Sequence, residues 1–188
     1  MTRQTQYRLN PFDIQRFALT AMAVLDIYEY PDPILRQPAE VVVDFGQHFQ
    51  QHIEDLIETL YASPGAVGLA ATQVGLPLRV FLVNLHPQQP ESELKIYVNP
   101  VIVRSSRWKM SREGCLSFPE YLATVKRAKK LTVEGCDRSG TLFEQELEGF
   151  EAVVVQHELD HLDGVLMIDR IRSISKDWRL RESSTPSE

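Results

Sequence analysis

His157 and His161 stand four positions apart in the hexapeptide QHELDH. On a helix that spacing turns both imidazoles to one side, where two ring nitrogens can share a single metal ion. Glu158 lies one position round from His157, beside such an ion without binding it. That place suits a general base that takes a proton from water. The same helical face carries Phe150, Val153 and Val154, at i, i+3 and i+4, with the histidines at i+7 and i+11. An ion on this apolar face would sit inside the fold, where a low dielectric strengthens its pull on water. Two structural histidines on a half-buried helix form the plainer alternative.

Two histidines do not hold a metal alone, so a third ligand must come from elsewhere in the chain. The metzincin protease pattern continues from the second His as xxGxxH; here Gly164 stands at the glycine position, but Met167 stands where the third His belongs. The gluzincin pattern needs a downstream Glu on another helix, and the candidate well downstream is Glu182, in a polar tail. Cys115, in the polar segment REGCLSFP, is the remaining candidate, with a buried, inert cysteine as its alternative. One thiolate sulfur and two imidazole nitrogens would leave a fourth position for water, which marks a catalytic site. A non-catalytic, metal-stabilised binding module would close that position with a fourth protein ligand. His48, His52 and His86 fall in the first helix or at a strand end and offer no obvious one.

These residues need elements to hold them. From Gln47 to Ala62, Phe49, Ile53, Leu56, Ile57 and Leu60 recur at spacings of three and four, predicting an amphipathic helix. Ser63, Pro64 and Gly65 end it, and a glycine-containing loop is expected up to Gly75. Strands are expected over 79–84, 95–98, 101–104, 122–126, 131–136 and 141–147, with the earlier LDIYEY also strand-like. Asp137 to Gly140 is a turn sequence that makes the last two an antiparallel hairpin. Val153, Val154 and Val155 would suit a strand, but the stripe they share with the histidines predicts a helix from Gly149 to about Leu162, stopped by Gly164.

A chain of 188 residues supports one well-packed domain. No apolar run approaches the roughly 20 residues that cross a bilayer, and a formal net charge of −6 argues against a broad nucleic-acid-binding face. The basic run Lys126, Arg127, Lys129 and Lys130 reads as a solvated hairpin edge. Two cysteines make no disulfide framework, and Cys136 reads as a small core or turn residue. Residues 1–21 are expected to be a flexible extension, with an organelle-targeting segment as the lesser alternative; residues 182–188 are expected to be disordered, leaving 22–181 as the catalytic domain.

Three segments, AVGLAATQ from Ala66 to Gln73, EGCLS from Glu113 to Ser117 and HELDH from His157 to His161, together resemble the peptide deformylase family. They match its motifs GxGxAAxQ, EGCLS and HExDH in order, and weaker likeness runs from about Val24 to Ile171. The resemblance implies a small α+β domain, with antiparallel strands wrapped around the HExxH-bearing helix and an N-terminal amphipathic helix beside them. It implies that Cys115, His157 and His161 bind one divalent metal ion, Fe2+ in the cell with Zn2+ or Ni2+ as possible substitutes. Glu158 would be the general acid/base, and Gln73 and the Leu116 backbone N–H would steady an oxyanion. Val67, Gly68, Gly114, Phe150, Val153 and Val154 are expected around the substrate, the apolar ones receiving its methionine side chain.

The implied reaction is removal of the N-formyl group from the N-terminal formylmethionine of newly synthesised polypeptides, releasing formate. The expected partners are N-formylmethionyl nascent peptides and the ribosome, with no membrane and no sequence-specific nucleic acid. A cytoplasmic monomer is expected. The chain departs from the family pattern at Ala66, where the first glycine is replaced, and at Leu122, where many bacterial members carry Arg. The rival readings are a zinc-dependent endopeptidase and the non-catalytic metal-stabilised module.

Overall fold

A computed structural model describes residues 23–89 and 92–181. The extension expected over residues 1–21 and the tail expected from residue 182 lie outside the described residues. Helix α1 (Gln47–Ala62) buries Phe49, Ile53, Leu56 and Leu60 along one side, the arrangement that drives an amphipathic helix onto a core. Gly65 follows with φ +73°, a left-handed conformation that a side chain would resist.

The stretch after Gly65 is more than a loop. Gly68–Ala70 forms strand β1 and Ala71–Val74 a 3-10 turn, and these residues are all buried. A short, uniformly buried segment has no alternation for periodicity to detect. Strand β2 (Val80–Val83) pairs with β1, and β2 with β3 (Lys95–Cys115). Next come β4 (Phe118–Cys136) and β5 (Leu142–Glu148), so that one antiparallel sheet runs β1-β2-β3-β4-β5. Four of the expected short strands are therefore parts of two long ones. A register shift between Val98 and Val101 separates the two pieces expected in β3, whereas β4 keeps one register from Lys126 to Leu131 and is divided in the sequence only by its run of basic residues.

Asp137 to Gly140 makes the turn into β5: Asp137 Oδ1 accepts from the Ser139 and Thr141 N–H groups, and Gly140 takes φ +84°. Helix α2 (Gly149–Leu162) then packs across β1, β2, β4 and β5, burying every residue from Ala152 to Glu158. Gly164 ends this region with φ +69°, where a Cβ would come 2.5 Å from the Arg36 carbonyl oxygen. Two short helices, α3 (Met167–Arg170) and α4 (Ile174–Asp177), lead to β6 (Trp178–Leu180), which pairs with the start of β4.

Two further expectations need correction. LDIYEY forms no strand; Leu25 and Ile27 pack half-buried against the α1 core, and Val24 is exposed. Within the basic run, Lys126 faces solvent but Arg127 is 3% exposed. A guanidinium that deep requires partners, and it has two.

Candidate active site

Cys115 is the last residue of β3, and His157 and His161 project from α2. All three are buried, and one donor atom from each lies within 4.8 Å of the others. Cys115 Sγ stands 3.2 Å from His161 Nε2. Two ligands of one tetrahedral ion, with bonds of about 2.0–2.3 Å, lie roughly 3.5 Å apart, so small side-chain adjustments would bring this set onto a common centre. No other such cluster occurs among the described residues, and His48, His52 and His86 are not part of this one.

Behind the histidines lies a buried ionic network. His157 Nδ1 meets Glu113 Oε2 at 3.0 Å. Arg127 grips Glu113 with Nε and Nη2 at 2.8 and 3.0 Å and reaches Asp160 Oδ2 with Nη1 at 2.6 Å. Arg170 closes on Asp160 from the other side at 3.0 and 2.5 Å. Glu113 thereby favours a proton on His157 Nδ1, the tautomer that would turn Nε2 towards a metal ion. Burial opposes ionisation of Glu113, but the hydrogen bonds from His157 and Arg127 outweigh it and bring its pKa down to about 2. Burial also disfavours a charged His157, yet the Cys115 sulfur and Glu113 raise its pKa well above the usual imidazole value. His161 goes the other way, lowered by burial and then by His157. A nest that draws positive charge inward suits a cation, and a soft sulfur with two imidazoles suits a transition metal.

Glu158 is 4% exposed, and its Oε2 has no hydrogen-bond partner. Burial, its largest influence, raises its pKa to about 7, a range in which a carboxyl can both take and return a proton. Gly68 makes room for it: a Cβ there would lie 2.4 Å from Glu158 Oε1. Gln73 is held by its carbonyl, since Oε1 accepts from the Ala70 N–H at 3.0 Å. Its Nε2 therefore points inward, donating to Ser117 Oγ at 3.1 Å and approaching Cys115 Sγ at 3.6 Å.

These groups face a cavity of about 420 Å³. Val67, Gly68, Gly114, Phe150, Val153 and Val154 all line it. Gln73, Cys115, Leu116, His157 and Glu158 line it too, while His161 lies deeper, 1% exposed. The sequence reading left Glu113, Arg127, Asp160 and Arg170 without roles. Glu113 and Asp160 lie inside the recognised motifs, and buried carboxylates imply buried cations, but the basic run around Arg127 gave no sign of which residue turned inward. Arg112, Leu122 and Arg181 also line the cavity.

The pattern of the polypeptide deformylase family matches residues 24–177. The peptide deformylase of Syntrophobacter fumaroxidans is 46% identical over 156 residues, 83% of this chain and 91% of its own. That of Thermodesulfovibrio yellowstonii is 40% identical over 156 residues, covering 83% and 94%. Among solved structures, the peptide deformylase of Legionella pneumophila superposes with a TM-score of 0.77 at 40% identity, covering 82% of this chain and 89% of its own. With likeness in sequence and fold along most of its length, this chain belongs to the peptide deformylase family, metalloenzymes that remove the formyl group from the N-terminal methionine of polypeptides.

Proposed function

We propose that this deformylase works with Cys115, His157 and His161 as the ligands of one divalent ion and with Glu158 as its acid/base. The observation that supports this most is that Cys115, His157 and Glu158, with its unpartnered Oε2, line one cavity while His161 stands beneath it, its donor atom within 4.8 Å of the other two. When bound, the ion supplies Lewis acidity and lowers the pKa of a coordinated water towards about 7. Glu158 takes a proton from the water that attacks the formyl carbon. As charge grows on the formyl oxygen, Gln73 Nε2 turns from Ser117 to donate to it, and the Leu116 N–H adds a second donor. Glu158 then returns the proton to the departing amine, leaving formate and a free N-terminus.

Val67, Phe150, Val153 and Val154 offer the methionine side chain an apolar wall. Burying such a side chain contributes about 1.5–3 kcal/mol. The formyl carbon carries only hydrogen, so a narrow acyl pocket admits it and rejects acetyl. Residues 22–181 act as one catalytic α+β domain, its strands wrapped around the helix that bears His157 and His161. Fe2+ as the cellular ion, and a monomer acting in the cytoplasm on chains at the ribosome, rest on the family likeness alone.

Release of formate from formyl-Met-Ala-Ser, with little turnover of the acetyl peptide and no cleavage of casein, is the expected result. Casein fragmentation without formate, from a preparation free of other proteases, would overturn the reading in favour of an endopeptidase.

A further inference from the structure

β6 brings a cation to the mouth of the active site. Its three residues pair with β4 as Ala123↔Trp178, Leu122↔Arg179 and Tyr121↔Leu180. One residue on, the Arg181 N–H donates to the Glu120 carbonyl at 2.7 Å. Trp178 anchors the strand, stacked on Tyr121 at 4.9 Å between ring centroids and set edge-on to Phe118 at 5.4 Å. The Arg181 guanidinium then lies over Gly114, whose Cβ, if present, would come 2.5 Å from Arg181 Nη2. Gly114 precedes the ligand Cys115. Arg181 therefore stands within a few residue lengths of the reacting centre, at about 3.3–3.6 Å of extended peptide per residue.

This guanidinium does not stand alone. Arg181, Arg112 and Leu122 line the catalytic cavity and also a second recess of about 290 Å³, which Arg179 borders as well. Acids outnumber bases here, 26 to 20, and Arg36, Arg79, Arg127, Arg138 and Arg170 each hold a carboxylate. Among the described residues, no side chain hydrogen bond or ion pair joins Arg112, Arg179 or Arg181 to any partner. Three guanidinium groups with no carboxylate partner among the described residues, beside the catalytic cavity, form a positive rim that would attract anionic side chains.

We propose that Arg181 is a specificity-determining residue of the deformylase reaction, selecting an acidic side chain within the two residues that follow the formylmethionine. Arg112 and Arg179 strengthen the field around it. The inference rests on the deformylase activity and extends it to the part of the substrate outside the methionine pocket.

The test compares formyl-Met-Glu-Ser, formyl-Met-Lys-Ser, formyl-Met-Ala-Glu and formyl-Met-Ala-Lys on the metal-loaded enzyme. An exposed to half-buried charge pair predicts a glutamyl-over-lysyl ratio in kcat/KM of roughly three- to ten-fold at one or both positions. The preference should lie in KM and shrink as salt rises. In Arg181→Ala the ratio should fall to about one, and Arg181→Lys should restore part of it. Each ratio is taken within one preparation, so differences in metal content or folded fraction cancel. Binding of the product peptides Met-Glu-Ser and Met-Lys-Ser by calorimetry should follow the same order. A ratio of one in the native enzyme, or an equal ratio in Arg181→Ala, overturns the proposal. Absence of formate from every peptide would instead overturn the activity, and this inference with it.

Discussion

At Gly68 the absence of one methyl group determines where a carboxylate can stand. An ideal Cβ there would meet Glu158 Oε1 at 2.4 Å and Cδ at 2.8 Å, so Gly68→Ala must push the carboxylate aside. Misplacing a catalytic group by about 1 Å costs on the order of a hundred-fold in rate. Gly68→Ala should therefore show a kcat reduced by roughly that factor with metal content near one per chain; an unchanged kcat would mean that Glu158 is not the proton-transfer group. Glu158→Gln keeps the shape and removes the base, so it should retain metal and lose turnover. Loss of the ion together with activity would show instead that Glu158 is a ligand. Cys115→Ser exchanges a soft thiolate for a weak hydroxyl ligand. Its metal affinity should fall in an equilibrium chelator titration, and unchanged affinity would remove Cys115 from the ligand set.

At the scale of elements, legibility follows repetition. α1 declares itself through five apolar residues on one stripe, and α2 through a stripe that includes the histidines, so the helix-borne part of the site could be read in advance. β3 and β4 could not be read whole: a register shift after Val98 breaks the alternation in β3, and a run of bases interrupts the apolar pattern of β4. β1 and the 3-10 turn, which position Gly68 and Gln73, were expected as loop; the motif names those two residues but not the elements that hold them. The network joining β3, β4 and α2 was also hidden: nothing in the run Lys126 to Lys130 distinguishes Arg127 from its solvated neighbours. Arg127→Met would leave the buried Glu113 and Asp160 without their shared cation and should destabilise the fold by about 3 kcal/mol. Denaturant unfolding measures this, and a loss below about 1 kcal/mol would show that His157 and Arg170 satisfy the two acids unaided. β6 lacked any signal because its partner is the distant start of β4. Trp178→Ala should loosen that strand and lower the glutamyl-over-lysyl ratio as Arg181→Ala does; a native ratio would mean that Arg181 is held without its aromatic anchor.

For the molecule as a whole, the proposed ligand set would work as a clasp. Cys115 and Leu35 belong to one apolar cluster with Phe118, Ala123, Leu166 and Met167, whereas Ala152, Val154, Val155 and Leu162 of α2 belong to another, packed on Phe81, Tyr97 and Val133. An ion held jointly by Cys115, His157 and His161 would tie the end of β3 to α2, closing a long loop of chain and joining these clusters. A ligand that binds only the folded state stabilises it by about 4 kcal/mol at a thousand times its Kd. Removing the ion would also leave Glu158 and the Cys115 sulfur together in a buried space without a cation between them, an arrangement costly in a low dielectric. Anaerobic treatment with a chelator should therefore lower the melting temperature by several degrees, since about 1 kcal/mol corresponds to roughly 2–4 °C in a chain of this size. Readdition of nickel should restore it, and Cys115→Ser should show a much smaller difference between its metal-loaded and stripped forms. Equal melting temperatures for the native enzyme with and without metal would show that the ion serves chemistry alone and that the hydrogen-bonded network by itself holds β3 against α2.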